Sequence, residues 1–476
     1  MFYGRETDLN ELLTLWNKRV SSLITCRGRR RIGKSTLIRE FAKKSKARLI
    51  QLEGVRPRVG LSNEDELRHF SRLLAAQTAA ENSLPENWLI AFKRLGEQIR
   101  DNERTVVLLD EISWMGHYDE LFADTLKTAW ELYFKPHDRL VVAACGSVSS
   151  WIKENIIDNG AFMGRRSGDF VLHELPLKDC VKFWGRAAET IDKGEILDVL
   201  SVTGGVPRYL EEIDPSLSAD DNIRRLGFLR KAVLREDFDE MFTDVIAAQP
   251  RFSGEVLRCL VDGPKTVSEV AAKLGVERGG NVSKAMVRLG EAGFVSPDHG
   301  RNPETGAEIR ERRFRLSDNY ARFYLKFIEP VKELIDNGGF AFTSLKALGG
   351  WNAVKGLAFE NLVLNHYPEF AARLGLSTTL IKSAAPYVKR GSKLSGESGC
   401  QIDLLLQAEN MMCLVEIKRQ KSIGVEVIEE MEAKVSALGR KRGVTLRTAL
   451  VYSGELDPEV AASGYFNAIV DVEEVM

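Results

Sequence analysis

Gly28-Arg29-Arg30-Arg31-Ile32-Gly33-Lys34-Ser35 is a complete G-x-x-x-x-G-K-S run. It lies between an apolar stretch, Ser22–Cys26, that reads as a buried strand and an amphipathic one, Ser35–Lys44, that reads as a helix. In that context the run folds into a loop that cradles phosphates. Its glycines let backbone N–H groups turn inward, and the helix N-terminus adds positive potential. Lys34 is expected to reach the β- and γ-phosphates of ATP and Ser35 to hold Mg2+. The loop's nucleotide contacts are expected from Gly28, Arg31, Ile32, Gly33, Lys34, Ser35 and Thr36. The bland alternative is a basic turn with two glycines; the flanking strand and helix argue against it.

Working outward, Ala47–Leu52, Thr105–Leu109, Leu140–Ala144 and Phe170–Leu175 also read as buried strands, with helical patterns between them. Strand–helix alternation of this kind predicts a parallel α/β sheet. Thr105–Leu109 runs into Asp110 and Glu111. A carboxylate at the end of an apolar strand, one half-domain after a phosphate loop, is placed for Mg2+, so Asp110 is read as a metal ligand. Glu111 is then placed to polarise a water aimed at the γ-phosphate. Cys145-Gly146-Ser147 ends the next strand. Ser147 is either a sensor of the γ-phosphate or a plain turn residue. Arg165 and Arg166 precede the last strand and are either a solvated pair or a source of charge for phosphoryl transfer, within the subunit or across an interface.

These motifs, with Phe2-x-Gly4-Arg5-Glu6 before them and Gly205-Val206-Pro207 after them, resemble the AAA+-related prokaryotic ATPases of the signal-transducing (STAND-like) branch. The resemblance covers roughly residues 1–215 and implies ATP hydrolysis. It also implies that Phe2, Gly4 and Arg5 lie beside the adenine, that Pro207 contacts the base, and that Arg208 approaches the phosphates.

The chain of 476 residues, 44% hydrophobic and 28% charged, is long enough for several cores. A net charge of −1 gives no whole-chain argument for nucleic acid or an anionic membrane, so any basic surface is local. No apolar stretch approaches the ~20 residues of a membrane span, and the N-terminus does not read as a signal peptide. The cysteines, at 26, 145, 180, 259, 400 and 413, are scattered and form no CxxC pair. Reduced thiols in a cytoplasmic protein are the expectation.

Past residue 250 the pattern changes. Phe252–Val261, Val267–Leu274 and Asn281–Ala292 are spaced as three short helices, and Ser296–Ala307 as a turn-rich hairpin. This resembles a winged helix-turn-helix. Residues 251–326 hold 14 Lys or Arg against 10 Asp or Glu, a net of +4. One reading has Lys284, Arg288 and the wing arginines Arg310, Arg312, Arg313 and Arg315 contacting DNA; the other makes the module an interaction or hinge element.

Near the C-terminus, Asp403 begins a strand that returns, after Glu409-Asn410, as Met412–Lys418. The hairpin brings Asp403 near Glu416 and Lys418, and alternation puts Glu416 and Lys418 on one face. Two carboxylates and a lysine make a hard-cation site beside an ammonium, suited to phosphodiester hydrolysis. Glu360, on an upstream helix, adds a carboxylate. The set resembles the PD-(D/E)xK restriction-endonuclease-like fold over roughly residues 351–455, with Ile402 where the motif name has proline. By that resemblance Glu360, Asp403, Glu416 and Lys418 form the site, with Mg2+ or Mn2+ bound to the carboxylates. The alternative is an exposed hairpin with charged ends.

The sequence therefore predicts an α/β multidomain protein: a parallel-sheet P-loop ATPase core (1–175), a helical lid (176–250), a winged helix-turn-helix (251–318), a helical connector (319–345) and an α/β nuclease-like domain (346–476). The function it points to is ATP-controlled action on DNA. The competing expectation is an ATP-dependent switch, scaffold or DNA-binding regulator that does not cleave. ATP and DNA are the expected partners, with further copies of the chain or another protein, and no membrane.

Overall fold

The structure, a computed structural model, describes all residues except 1, 19, 148, 246–249, 278–279, 341–343, 346–347, 390, 392–398 and 440–441. Residues 341–343 of the expected connector thus lie outside the described residues. The chain divides into two compact units, residues 1–175 and 176–476.

The first unit is built on five parallel strands, β1 (Ser22–Gly28), β2 (Arg48–Glu53), β3 (Thr105–Asp110), β4 (Leu140–Gly146) and β5 (Arg166–Leu172), in the order β2-β3-β4-β1-β5. β3 and β4 are buried along their whole length, as their unbroken apolar runs require in a sheet covered on both faces. A cluster holding Phe70, Trp88, Phe92 and Phe122 packs in the main core, with Trp88 and Phe122 edge to face at 4.8 Å. Each such ring contributes about 1.5–3 kcal/mol through its burial. β5 starts at Arg166, earlier than the apolar run at Phe170 suggests. It is an edge strand, and its first half carries polar residues such as Asp169, which pairs with Arg27 at 3.0 Å.

The second unit begins with helices, among them Lys193–Thr203, capped at Gly204 (φ 57°), and Pro207–Leu210, with proline in its first turn. Helices Pro250–Cys259, Val267–Leu274 and Gly280–Glu291 follow, with a small antiparallel sheet of β6 (Lys265–Thr266), β7 (Val295–Pro297) and β8 (Arg313–Leu316), ordered β6-β8-β7. Helix Val267–Leu274 opens on a capping box between Thr266 and Glu269 and ends at left-handed Gly275. Beyond helix Trp351–Asn365 lies a mixed sheet: β9 (Ser383–Lys389), β10 (Cys400–Gln407), β11 (Met411–Ile423), β12 (Thr445–Leu456) and β13 (Ala468–Asp471), ordered β13-β12-β11-β10-β9. β9, β10 and β11 run antiparallel, and β11, β12 and β13 run parallel. Helix Glu426–Leu438 covers it with Val427 and Met431, which pack on Leu405, Leu414 and Leu450.

The hairpin between β7 and β8 corrects one expectation. It lies on the edge strand β9: the Ser383 hydroxyl donates to the His299 carbonyl at 3.0 Å, and Lys389 stands 3.9 Å from Glu304. An edge covered in this way cannot pair with another chain. Two of the arginines read as DNA contacts are used inside the protein. Arg315 is buried and donates to Asn361 (2.7 Å) and Asn365 (2.9 Å) of helix Trp351–Asn365. Arg313 is held by Glu269 at 3.3 Å and by the Pro264 carbonyl at 2.5 Å. Arg310, Arg312 and Lys284 are exposed, and Arg288 is half-buried with its Nε donating to the Lys284 carbonyl at 3.3 Å.

Candidate nucleotide site and acidic cavity

The loop after β1 needs its glycines. Gly28 has φ 145°, and a Cβ there would lie 2.4 Å from the Leu172 carbonyl oxygen. Gly33 (φ 94°) and Arg31 (φ 69°) also take left-handed backbone, and Gly33 caps helix Lys34–Lys44. Lys34 is buried, and its ammonium donates to the Gly28 and Arg29 carbonyls, both at 3.1 Å. It thus stands within the cradle that its own loop forms. Arg5 donates to the Ile32 carbonyl at 3.1 Å and to that of His173, which ties the N-terminal box to the loop and to the end of β5. Gly4 is buried, Phe2 half-buried and Thr36 exposed.

Across from the loop, β3 delivers Asp110 and Glu111. The Ser35 hydroxyl bonds Asp110, whose carboxyl burial pushes above the usual range, with that bond opposing the shift. Glu111 sits at φ 48°, a strained position for a residue with a side chain. It is held there by Ser147, whose N–H (3.2 Å) and Oγ–H (2.9 Å) both donate to Oε2. Ser147 therefore touches the glutamate. Glu53, which motif reading missed, ends β2 opposite Asp110 in the register. Burial, then Asp110 and Glu111, push its carboxyl up. The signal was present, since β2, like β3, is an apolar strand ending in a carboxylate. Asp110, bonded by Ser35, is the carboxylate placed to meet a divalent cation with its phosphates.

Arg165 and Arg166 do not join this group. Arg166 is opposite Leu23 and Leu172 opposite Gly28, so Arg166 lies five residues back along β1 from the loop, roughly 16 Å at the strand rise. Arg165 is bound to Glu131 at 2.6 Å and Arg166 to the Ile157 carbonyl at 3.2 Å. Action on the phosphates of the same subunit is thereby set aside. Pro207 and Arg208 belong to the second unit, where Arg208 pairs with Glu212 one turn along its helix.

In the second unit, Glu360, Asp403, Glu416 and Lys418 line one cavity of about 970 Å3. Helix Trp351–Asn365 supplies Glu360, β10 supplies Asp403, and β11 supplies the other two. Asp403 Oδ2 accepts from the Ile417 N–H at 3.0 Å. Burial, and then Glu416, raise its carboxyl to about 6; burial, and then Asp403, raise that of Glu360 to about 7. Glu416 is buried and takes ammoniums on both oxygens, Lys418 at 3.2 Å and Lys434. Lys418 is also 2.6 Å from Glu430. Lys434 and Glu430, both from helix Glu426–Leu438, were not found from the sequence. Among the described residues, no three Asp, Glu, His or Cys side chains stand within reach of one metal ion. The reach expected for the three carboxylates is therefore not met with the lysines where they are. The donor set still suits a hard cation: Mg2+ commonly needs one or two protein carboxylates besides phosphate oxygens.

Residues 2–213 match the family described as an ATPase domain predominantly from Archaea. The chain thus contains a P-loop ATPase domain, for which ATP and Mg2+ are the ligands the match implies. The matched stretch runs past residue 175 to include helices Lys193–Thr203 and Pro207–Leu210. The uncharacterized protein MJECL04 of Methanocaldococcus jannaschii is 22% identical over 370 residues, 76% of either chain. Among solved structures, the Walker-type ATPase PABY2304 of Pyrococcus abyssi is similar at a TM-score of 0.49 and 14% identity, covering 68% of this chain and 96% of that one. The ORC2 protein of Aeropyrum pernix gives 0.46 and 18%, covering 70% and 94%. No described helix is long and apolar enough to cross a membrane.

Proposed function

We propose that ATP turnover at the P-loop governs a metal-dependent phosphodiesterase site in the acidic cavity, with DNA as its substrate. The observation that carries this reading is the meeting of Glu360, Asp403, Glu416 and Lys418 from one helix and two strands in one cavity. At the first site, Lys34 would hold the β- and γ-phosphates, Ser35 and Asp110 the Mg2+, and Glu111 would polarise the attacking water, positioned by Ser147. Arg165 and Arg166 would act only across an interface between copies. At the second site, Glu360, Asp403 and Glu416 would hold the cation and Lys418 would face the phosphate. A bound divalent cation there supplies a more acidic water and positive charge to meet the phosphorane.

Control by ATP is supported by one cluster of contacts. Arg419, next to Lys418, is half-buried and donates to Asp198, to the Ser201 hydroxyl at 2.6 Å and to the Gly194 carbonyl at 3.3 Å. Lys355, on the helix that carries Glu360, is 3.0 Å from Asp198. Asp198 and Ser201 lie on helix Lys193–Thr203, inside the ATPase match and just before Pro207. A movement of that helix with nucleotide would be felt on β11 and helix Trp351–Asn365, two of the three elements that carry the acidic site.

The second reading is a switch that binds a partner without cutting, and the two ammoniums on Glu416 favour it. Incubating the full chain with single- and double-stranded DNA, Mg2+ or Mn2+, and with or without ATP separates the two. Cleavage that Asp403→Asn abolishes, with ATP turnover retained, supports the phosphodiesterase. No cleavage of any DNA form under any of these conditions leaves the switch.

A further inference from the structure

The acidic cavity holds two lysines, and the sequence motif accounts for one. Lys418 stands on β11 two residues from Glu416. Lys434 reaches in from helix Glu426–Leu438 and donates to Oε2 of Glu416, while Lys418 takes Oε1 at 3.2 Å. Glu416 is 2% exposed, so protein ammoniums neutralise both oxygens of a carboxylate shut away from water. The two lysines are not anchored alike. Lys418 has a second carboxylate, Glu430, at 2.6 Å. Lys434 has its hydrogen bond at Glu416 and keeps 18% of its side chain exposed. A divalent cation on Glu416 would face two ammoniums at close range, and like charges in a poorly solvated cleft repel strongly. One ammonium has to leave, and Lys434, held by one carboxylate where Lys418 is held by two, has the weaker hold; the two side chains are about equally exposed, at 18% and 21%.

We infer that Lys434 is a displaceable counter-charge, a positioning residue that occupies Glu416 until a divalent cation enters and then turns to the phosphate of the substrate. The inference rests on the metal-site reading proposed above. It gives the two ammoniums on Glu416 a role before a cation arrives, since they hold the buried carboxylate. It also makes cation and phosphate binding mutually reinforcing, since the ammonium released by one serves the other.

The experiment is calorimetric titration of the full chain with Mn2+ at pH 8, without nucleotide, for the wild type, Lys434→Met, Lys434→Arg and Asp403→Asn. The Asp403→Asn isotherm supplies the background from elsewhere in the chain, and circular dichroism reports folding. Methionine keeps the aliphatic bulk of the lysine and removes the charge; Lys434→Gln is the second neutral variant should it not fold. Lys434→Met should bind Mn2+ about tenfold more tightly than wild type, the low end of what one competing hydrogen bond to a charged group is worth. Lys434→Arg should bind as the wild type does. Equal or weaker binding by the neutral variant, beside wild-type binding that Asp403→Asn removes, overturns the inference and leaves the metal site standing. Absence of Asp403-dependent binding in both wild type and neutral variant overturns the inference and the metal-site reading together.

Discussion

Removing one oxygen, by Ser147→Ala, tests how Glu111 is held. Glu111 sits in left-handed backbone, which costs about 1–3 kcal/mol and persists only where neighbours fix it. Two donors from Ser147 do so, the hydroxyl at 2.9 Å and the backbone N–H at 3.2 Å. Alanine removes the shorter bond and keeps the longer. A hydrogen bond to a charged group contributes about 1.5–3 kcal/mol, and the surviving N–H retains part of the restraint, so the loss falls near the lower figure. At about 1.4 kcal/mol per decade, ATP turnover should slow about tenfold. ATP affinity should not change, because Lys34 and Ser35 are untouched. Phosphate release against ATP concentration gives the first number and equilibrium binding of a fluorescent nucleotide the second. Glu111→Gln in the same assay sets the floor, orders of magnitude lower. A turnover number within twofold of wild type would refute the positioning role. A faster enzyme would show that the hydroxyl restrains Glu111 away from the water, and weaker nucleotide binding with unchanged turnover would put Ser147 on the phosphate instead.

Two further outcomes follow from the second unit. Asp198→Asn weakens the carboxylate that Arg419 and Lys355 share; ATP turnover should persist while the ratio of DNA cleavage with ATP to cleavage without it falls toward one, and an unchanged ratio refutes the coupling. The pH dependence has a definite sign. Glu360 (about 7) and Asp403 (about 6) lie above the ordinary carboxylate values because of burial, and then because Asp403 raises Glu360 and Glu416 raises Asp403. The folded state therefore binds more protons than the unfolded one, so their contribution to stability is complete below about pH 4 and is lost as pH rises through 6 and 7. The melting temperature of this unit, followed by differential scanning fluorimetry, should fall between pH 5 and 8, fall less in Glu360→Gln, and recover with Mn2+ at pH 8. A rise over that window, or the same slope in the variant, contradicts the account.

The fate of the basic module shows how far a charge count carries. Residues 251–326 have a net of +4, which reads as a surface for phosphates. Yet Arg315 is buried against Asn361 and Asn365, and Arg322, fully buried, donates to the carbonyls of Val261 and Leu316 (2.7 Å for the latter). Arg315 joins the three-helix module to helix Trp351–Asn365, the helix that carries Glu360, and Arg322 is used up on the module's own carbonyls. Of the side chains read as DNA contacts, Lys284, Arg310 and Arg312 remain exposed. A module fixed in this way is better suited to hold the acidic cavity in place than to read a groove by itself.

What was legible in the sequence depended on how far along the chain each feature's partners lie. The P-loop is eight consecutive residues between a strand and a helix, so its chemistry and its context are read together. Asp110 and Glu111 follow from one apolar strand. Asp403, Glu416 and Lys418 needed only a hairpin and the period of a strand, and Glu360 an upstream helix. Ser147 was visible as a polar residue after a strand, but its partner Glu111 is 36 positions away on another strand. The inward turn of Arg315 was not legible because alternation gives two faces and does not say which is covered; here the covering element is a helix some 46 residues on. Lys434 was hidden for a subtler reason. Glu430 and Lys434 are four apart on helix Glu426–Leu438, the spacing of an ordinary solvated ion pair. In the folded chain they do not pair with each other: Glu430 takes Lys418 and Lys434 takes Glu416. The local spacing offers each of them a partner worth a few tenths of a kcal/mol in water, whereas the buried Glu416 offers a charge-assisted bond several times stronger. The stronger long-range partner wins, and it turns an unremarkable surface pair into two walls of the candidate site.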